Sequence, residues 1–275
     1  MIRVLKLEWL KIKNYRVFWI LTIMYLLALV IITSGGMFFL EWLKSEGADF
    51  QGINPTIIPI YDFPDIWQNT TYLATFIKVL LAFIVIISVN NDVTYNTLRQ
   101  NIIDGISKKE YIFSKLAFIV TMAAISTLFI FVLGFINGSI YSHVWGIEYI
   151  FDEMEFLVVF FYEVIIYCTL AFLLSLIIKK AGFVIVALFL YTLMFEPIIT
   201  TIMINAPFFT EGPAPEIAQF FPIKALNNLI SVPFGRYVFM EIQDNVPIKA
   251  LTIATGWFIF YLSSIFYILN KRDLN

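Results

Sequence analysis

Six predominantly apolar stretches, 18–40, 71–89, 113–136, 156–178, 182–204 and 251–269, each offer the roughly 20 residues that a helix needs to cross bilayer hydrocarbon. Backbone amides inside hydrocarbon must be satisfied internally, which leaves only helices and closed barrels as spanning structures. Runs of this length select the helix. Composition agrees, since 60% of the residues are hydrophobic and 14% are charged, against about a quarter charged in a soluble domain. The expected fold is an all-α integral membrane protein, with 1–275 forming one transmembrane domain.

The net charge of −2 averages over two sides of a membrane, so the distribution of charge carries the information. Arg3, Lys6, Lys11, Lys13 and Arg16 precede the first span. Arg99, Lys108 and Lys109 lie between the second and third, Lys179 and Lys180 between the fourth and fifth, and Lys271 and Arg272 after the sixth. The opposite segments hold most of the acids. The positive-inside rule therefore places both termini on the cytoplasmic side of a cell inner (cytoplasmic) membrane. Residues 1–17 set Ile2, Leu5, Trp9 and Ile12 on one helical face among these cations, the pattern of an amphipathic helix lying in the interface. The run at 18–40 is long enough to span and lacks a convincing A-x-A cleavage site, so an anchor is expected rather than a cleaved signal.

Several chemistries lack their residues. Cys168 is the one cysteine and His143 the one histidine, so neither a disulfide nor a multi-histidine metal site is expected. Ser139, Ser142 and His143 lie close in sequence but lack an evident orienting group and oxyanion donor, so no hydrolase is expected. No G-x-x-x-x-G-K-[ST] phosphate loop occurs. Neither enzymatic activity nor a nucleic-acid partner is expected of this chain.

Between spans two and three lies a polar, basic island, 90–112, continuing as Phe113-Ser-Lys-Leu116. Residues 93–103 suit a short helix, Gly105 a left-handed stop, and Ser107-Lys-Lys-Glu110 has the spacing of a capping box for the next helix. A plain solvated loop has the same composition. The far segment, 205–250, is too apolar for a simple loop: Ile217, Phe220, Phe221, Ala225, Leu226, Leu229 and Ile230 recur at near-helical spacing between Pro215 and Pro233. It suits either a re-entrant or a surface amphipathic helical segment.

Together the basic amino-terminal helix, six spans, amphipathic segment before span six and T-L-R-Q-x-x-x-x-G-x-S-K-K-E-x-x-x-S-K-L from Thr97 to Leu116 resemble a permease of the type-2 exporter class of ABC transporters. The resemblance covers essentially the whole chain. It implies that 94–104 is a coupling helix entering a groove on a separate ABC ATPase subunit, with Thr94, Thr97, Leu98, Arg99, Asn101, Ile102, Asp104 and Gly105 at the contact. It further implies ATP and Mg on that partner and none here, and a second permease chain completing a homo- or heterodimer in the lipid bilayer. Members often carry an acid and then Gly-Thr ahead of this helix; here Asp92 stands in for the acid and Asn96 occupies the glycine position. The alternative is a non-translocating membrane anchor or assembly subunit of a secretion or motility complex. A gradient-driven carrier fits less well, because paired repeats with broken helices are not evident.

Charges within spans are costly and are usually paired or functional. Lys78, Glu163 and Glu196 lie at similar depths from the far ends of their spans, so an intramembrane charge cluster of the three is expected, with Lys78 paired to Glu163 or Glu196. Pro197 has no amide to donate to Leu193, and a kink or hinge is expected there. Trp42, Trp67, Trp145 and Tyr149 fall near the far ends, where amphipathic rings favour the head-group zone. Lys108 and Lys109 are expected to meet acidic head groups or the partner.

Overall fold

The computed structural model describes residues 2–46, 59–95, 97–206, 208, 212–233, 243 and 245–271. Asn96, Pro55 and parts of the 205–250 segment lie outside the described residues. Among the described residues there is no strand. The elements are α1 (Ile2–Lys13), α2 (Arg16–Ser45), α3 (Ile66–Thr94), α4 (Thr97–Ile103), α5 (Lys108–Tyr141), α6 (Ile147–Phe151), α7 (Glu155–Ile177), α8 (Ala181–Leu190) and α9 (Glu196–Asn205). They are followed by α10 (Ala214–Ala218), α11 (Pro222–Asn227) and α12 (Ile248–Lys271).

Among the described residues six helical runs are long and apolar enough to cross a membrane: Arg16–Gly36, Ile66–Thr94, Lys108–Tyr141, Ile147–Ile177, Ala181–Asn205 and Ile248–Lys271. The chain is a multi-pass membrane protein. At about 1.5 Å per residue α5 is about 51 Å long, well beyond the roughly 30 Å of hydrocarbon. Its start is fixed by the expected capping box: Glu110 N–H donates to Ser107 Oγ (3.2 Å), and Ser107 N–H donates to Glu110 Oε2 (2.8 Å).

Lipid is as apolar as leucine, so helices in a bilayer associate through close packing and hydrogen bonds rather than through the hydrophobic effect. The centre is α7, buried along most of its length and packed against α3, α5, α8 and α12. Close approach of α3 to α5 depends on small residues. A Cβ on Gly134 would lie 2.9 Å from the Trp67 ring, and one on Gly138 would overlap the ring of Phe63. Trp67 corrects the expectation of a head-group position. It is fully buried, stacked on Phe131 at 5.5 Å, with its indole N–H donating to Ile150 O (2.8 Å). Trp42, Trp145 and Tyr149 are exposed.

The fifth span is interrupted one turn before the expected position. Tyr191–Phe195 forms a π-helical turn, and Glu196 N–H reaches back to Tyr191 O, so the wide turn accommodates the proline that follows. The segment after α9 folds back on the bundle: Ala218, Ile223, Ala225, Leu226, Leu229 and Ile230 are buried, while Ile217 and Phe220 are exposed. Its short helices contact α9 and α12.

Replacing Gly138 with Leu should destabilise the protein by about 1–3 kcal/mol through overpacking against Phe63. Thermal unfolding in detergent measures it, and an unchanged midpoint would contradict the close packing of α5 on Phe63, just ahead of α3.

Candidate functional site

The polar island folds as expected in outline. α3 runs to Thr94, and α4 follows as a separate helix two residues later. Gly105 adopts φ 89°, Ile106 N–H donates to Asn101 O (2.9 Å) and Gly105 N–H donates to Ile102 O (3.1 Å). This is a Schellman stop, in which a left-handed glycine lets two orphan carbonyls be satisfied. Ile106 is buried beneath it, and the chain turns directly into the capped start of α5. The C-terminal end of α4 is thereby held in a tight helix–turn–helix.

The expected contact residues divide between faces. Thr94, Arg99, Asp104 and Gly105 are exposed, whereas Thr97, Asn101 and Ile102 are half-buried. Leu98 is buried at 3% exposure, which corrects its expected place at a partner contact: it anchors α4 to the bundle. Tyr95 and Ile103, which sequence reasoning passed over, are 74% and 75% exposed. They present apolar surface beside Arg99 and Asp104.

Behind α4 lies a buried knot of four charges. Lys115 of α5 is 1% exposed, and its ammonium meets Glu8 Oε2 of α1 (2.8 Å), Asp92 Oδ2 of α3 (2.6 Å) and Ser88 Oγ of α3 (2.9 Å). Of its three N–H donors two go to Glu8 and Ser88, while Asp92 Oδ2 is held as an ion-pair contact. Lys11 closes the group at 3.0 Å from Asp92 Oδ1 and 3.5 Å from Glu8 Oε1. Two cations and two carboxylates balance, as burial requires. Three helices distant in sequence are thus tied at the root of α4.

Glu8 was readable in principle. It lies three residues after Leu5 and four before Ile12, so an acid occupies the inward face of an otherwise basic helix. The expected apolar face is corrected accordingly: Glu8 and Ile12 are buried, and Trp9 is 54% exposed. Lys108 donates to Asn270 O at the end of α12 (3.3 Å), which satisfies a terminal carbonyl where a head group or partner was expected.

Of the three intramembrane charges, the structure brings two together. Lys78 on α3 and Glu163 on α7 form a buried hydrogen-bonded ion pair, with the ammonium 5.2 Å from the centre of the Tyr167 ring. Glu196 stands apart from them, which corrects the expected three-charge cluster. Its Oε1 accepts from the backbone N–H of Lys224 (2.7 Å), so the carboxylate ties the fifth span to the first turn of α11. Among the described residues no group of three or more His, Cys, Asp or Glu is arranged to hold a metal.

Compared with known protein families, characterised proteins and solved structures, the chain matches none.

Lys115→Met should cost about 3–5 kcal/mol, because Glu8 and Asp92 then share one cation, and should release α1 from α5. Because the native Cys168 is buried, a cysteine placed at Ile12 reports that release as faster thiol labelling; an unchanged rate would contradict the tie. Lys78→Met strands the Glu163 carboxylate and should cost a similar amount, about 3–5 kcal/mol. The double variant Lys78→Met, Glu163→Leu should recover most of it. Equal thermal stability of single and double variants would show the pair to be uncoupled.

Proposed function

We propose that the chain is the membrane-spanning permease subunit of an ATP-driven ABC exporter. In this reading two such chains pair in the cytoplasmic membrane, and each receives a separate ATPase on α4. The observation that carries it is the exposed surface at α4, where Tyr95 and Ile103 lie uncovered in the same short segment as Arg99 and Asp104. Large exposed apolar side chains flanked by opposite charges suit a protein contact. The excess of Lys and Arg at that end supports a cytoplasmic position for α4. The sequence lacks a phosphate loop, so ATP and Mg belong to the partner.

The mechanism is transmission. Closure of two ATPases on ATP would displace both α4 helices. Leu98 anchors α4 inward, and the Glu8–Lys115–Asp92 knot binds α1, α3 and α5, so a load on α4 moves these elements together. α1 lies along the inner interface, its Glu8 and Ile12 toward the bundle and Trp9 and Leu10 toward lipid. α3 carries the motion across the membrane to the Lys78–Glu163 pair.

Affinity purification of the tagged chain from its own cells should bring down an ATPase with a phosphate loop. Ile103→Asp with Arg99→Glu should lower its recovery about tenfold, because the contact loses apolar area and reverses a charge. Both positions are exposed, so the variant should elute from size exclusion as the parent does. No ATPase with the parent chain, or equal recovery with the variant, would overturn the reading; the former leaves the anchor or assembly role.

A further inference from the structure

A cavity of about 670 Å³ lies toward the end of the bundle opposite α4, within the range of small-molecule sites. α3, α7, the fifth span, the 219–232 segment and the start of α12 enclose it. The Lys78–Glu163 pair lies at its floor. Lys78 directs one hydrogen bond to Glu163 and faces the ring of Tyr167, which leaves donor capacity on an ammonium with three N–H groups. Lys224 and Lys249 also line the cavity, and neither has an acidic partner within ion-pair distance among the described residues.

The described lining is therefore electrically unbalanced. Among its described residues three ammonium groups face one carboxylate, that of Glu163, which is already paired. Glu196 lies just behind the wall, its Oε1 accepting from the amide of Lys224, and with it counted three ammonium groups still outnumber two carboxylates. Near a low-dielectric wall such an excess attracts an anion more strongly than it would in water. The remaining surface is of a different kind. Phe76 and Leu193 line the cavity and are also 57% and 51% exposed on the outside of the bundle, so it opens sideways onto the surface that lipid covers.

We infer that this cavity binds an anionic amphiphile: a phosphate or carboxylate head on a hydrocarbon chain. The head group meets Lys224 and Lys249, and one of its oxygens takes the spare donor of Lys78. The chain leaves between Phe76 and Leu193 into the bilayer. The charges act on the head and the lateral opening on the chain, so neither a free anion nor a neutral lipid satisfies both. The site stands whether or not the chain serves an ATPase, because its binding is measured on the purified chain alone.

The test is fluorescence titration of the full chain in dodecyl maltoside with dansylaminoundecanoate. The probe should bind saturably, and lysophosphatidic acid should displace it, whereas lysophosphatidylcholine and inorganic phosphate should not. Lys224→Gln with Lys249→Gln should raise Kd about tenfold by removing the two charges at the head. Leu193→Trp, at an exposed position and with the charge unchanged, should weaken binding by obstructing the opening. Absence of saturable binding, or an unchanged Kd in the lysine variant, would overturn the proposal. Equal displacement by lysophosphatidylcholine would make the charges irrelevant and overturn it, and displacement by inorganic phosphate would reduce the cavity to a free-anion site and overturn the amphiphile.

Discussion

The hydrogen-bonded pair of Lys78 and Glu163 joins the two helices around which the bundle is built, α3 and α7. In water such a pair would be weak evidence for stability, because burying two ions costs about what their attraction returns. In a bilayer the comparison changes. Apolar side chains gain little by leaving lipid for protein, so selectivity of helix pairing falls to contacts that lipid does not offer. Other polar contacts follow the same logic: Tyr25 with Ser126 and Asn137 with Ser34 between α2 and α5, and Tyr162 with Thr255 between α7 and α12. Between these points the helices approach closely where glycines allow it, as under Phe63 and Trp67.

The knot at the α4 end is a denser version of the same device. Lys115 donates to Glu8 of α1 and to Ser88 of α3 and is ion-paired with Asp92 of α3, so three helices meet at one nitrogen. A single pair would fix two helices and leave rotation about their contact. The added Lys11 balances the charge, and the site is neutral as a unit. α4 is joined to this unit through α3 on one side and through the Schellman stop and capping box on the other. Its orientation is consequently set by the bundle rather than by its own seven residues, which are too few to form a stable helix alone.

What was legible in the sequence follows from range. The six spans show because apolar length is local, and the Ser107–Glu110 box and the Gly105 stop show because caps need only a few neighbouring residues. Lys78 and Glu163 were legible because unlike charges at matched depth inside hydrocarbon have few other fates. Glu196 had the same depth, but its partner is a backbone amide 28 residues away, and backbone groups carry no sequence signature. Glu8 was hidden by the cations around it. Trp67 was misplaced because aromatic residues near span ends suit head groups equally well, and only the facing Gly134 makes room for it inside.

The two spans nearest the cavity differ in what they can do mechanically. α3 has no glycine or proline in its 29 residues and runs unbroken from Ile66 to Thr94, with Lys78 at the cavity floor and Asp92 in the knot. Those two residues are 14 apart, about 21 Å along a straight helix. An uninterrupted hydrogen-bonded helix transmits a displacement over that distance with little loss, since bending it needs one of the defects α3 lacks. The fifth span carries such a defect, the π-helical turn ahead of Pro197, and contributes Thr192, Leu193 and Pro197 to the same cavity. On the permease reading, one wall of the cavity moves with α4 while the other yields. On that reading a displacement of α3 reaches the cavity through Lys78 on its floor.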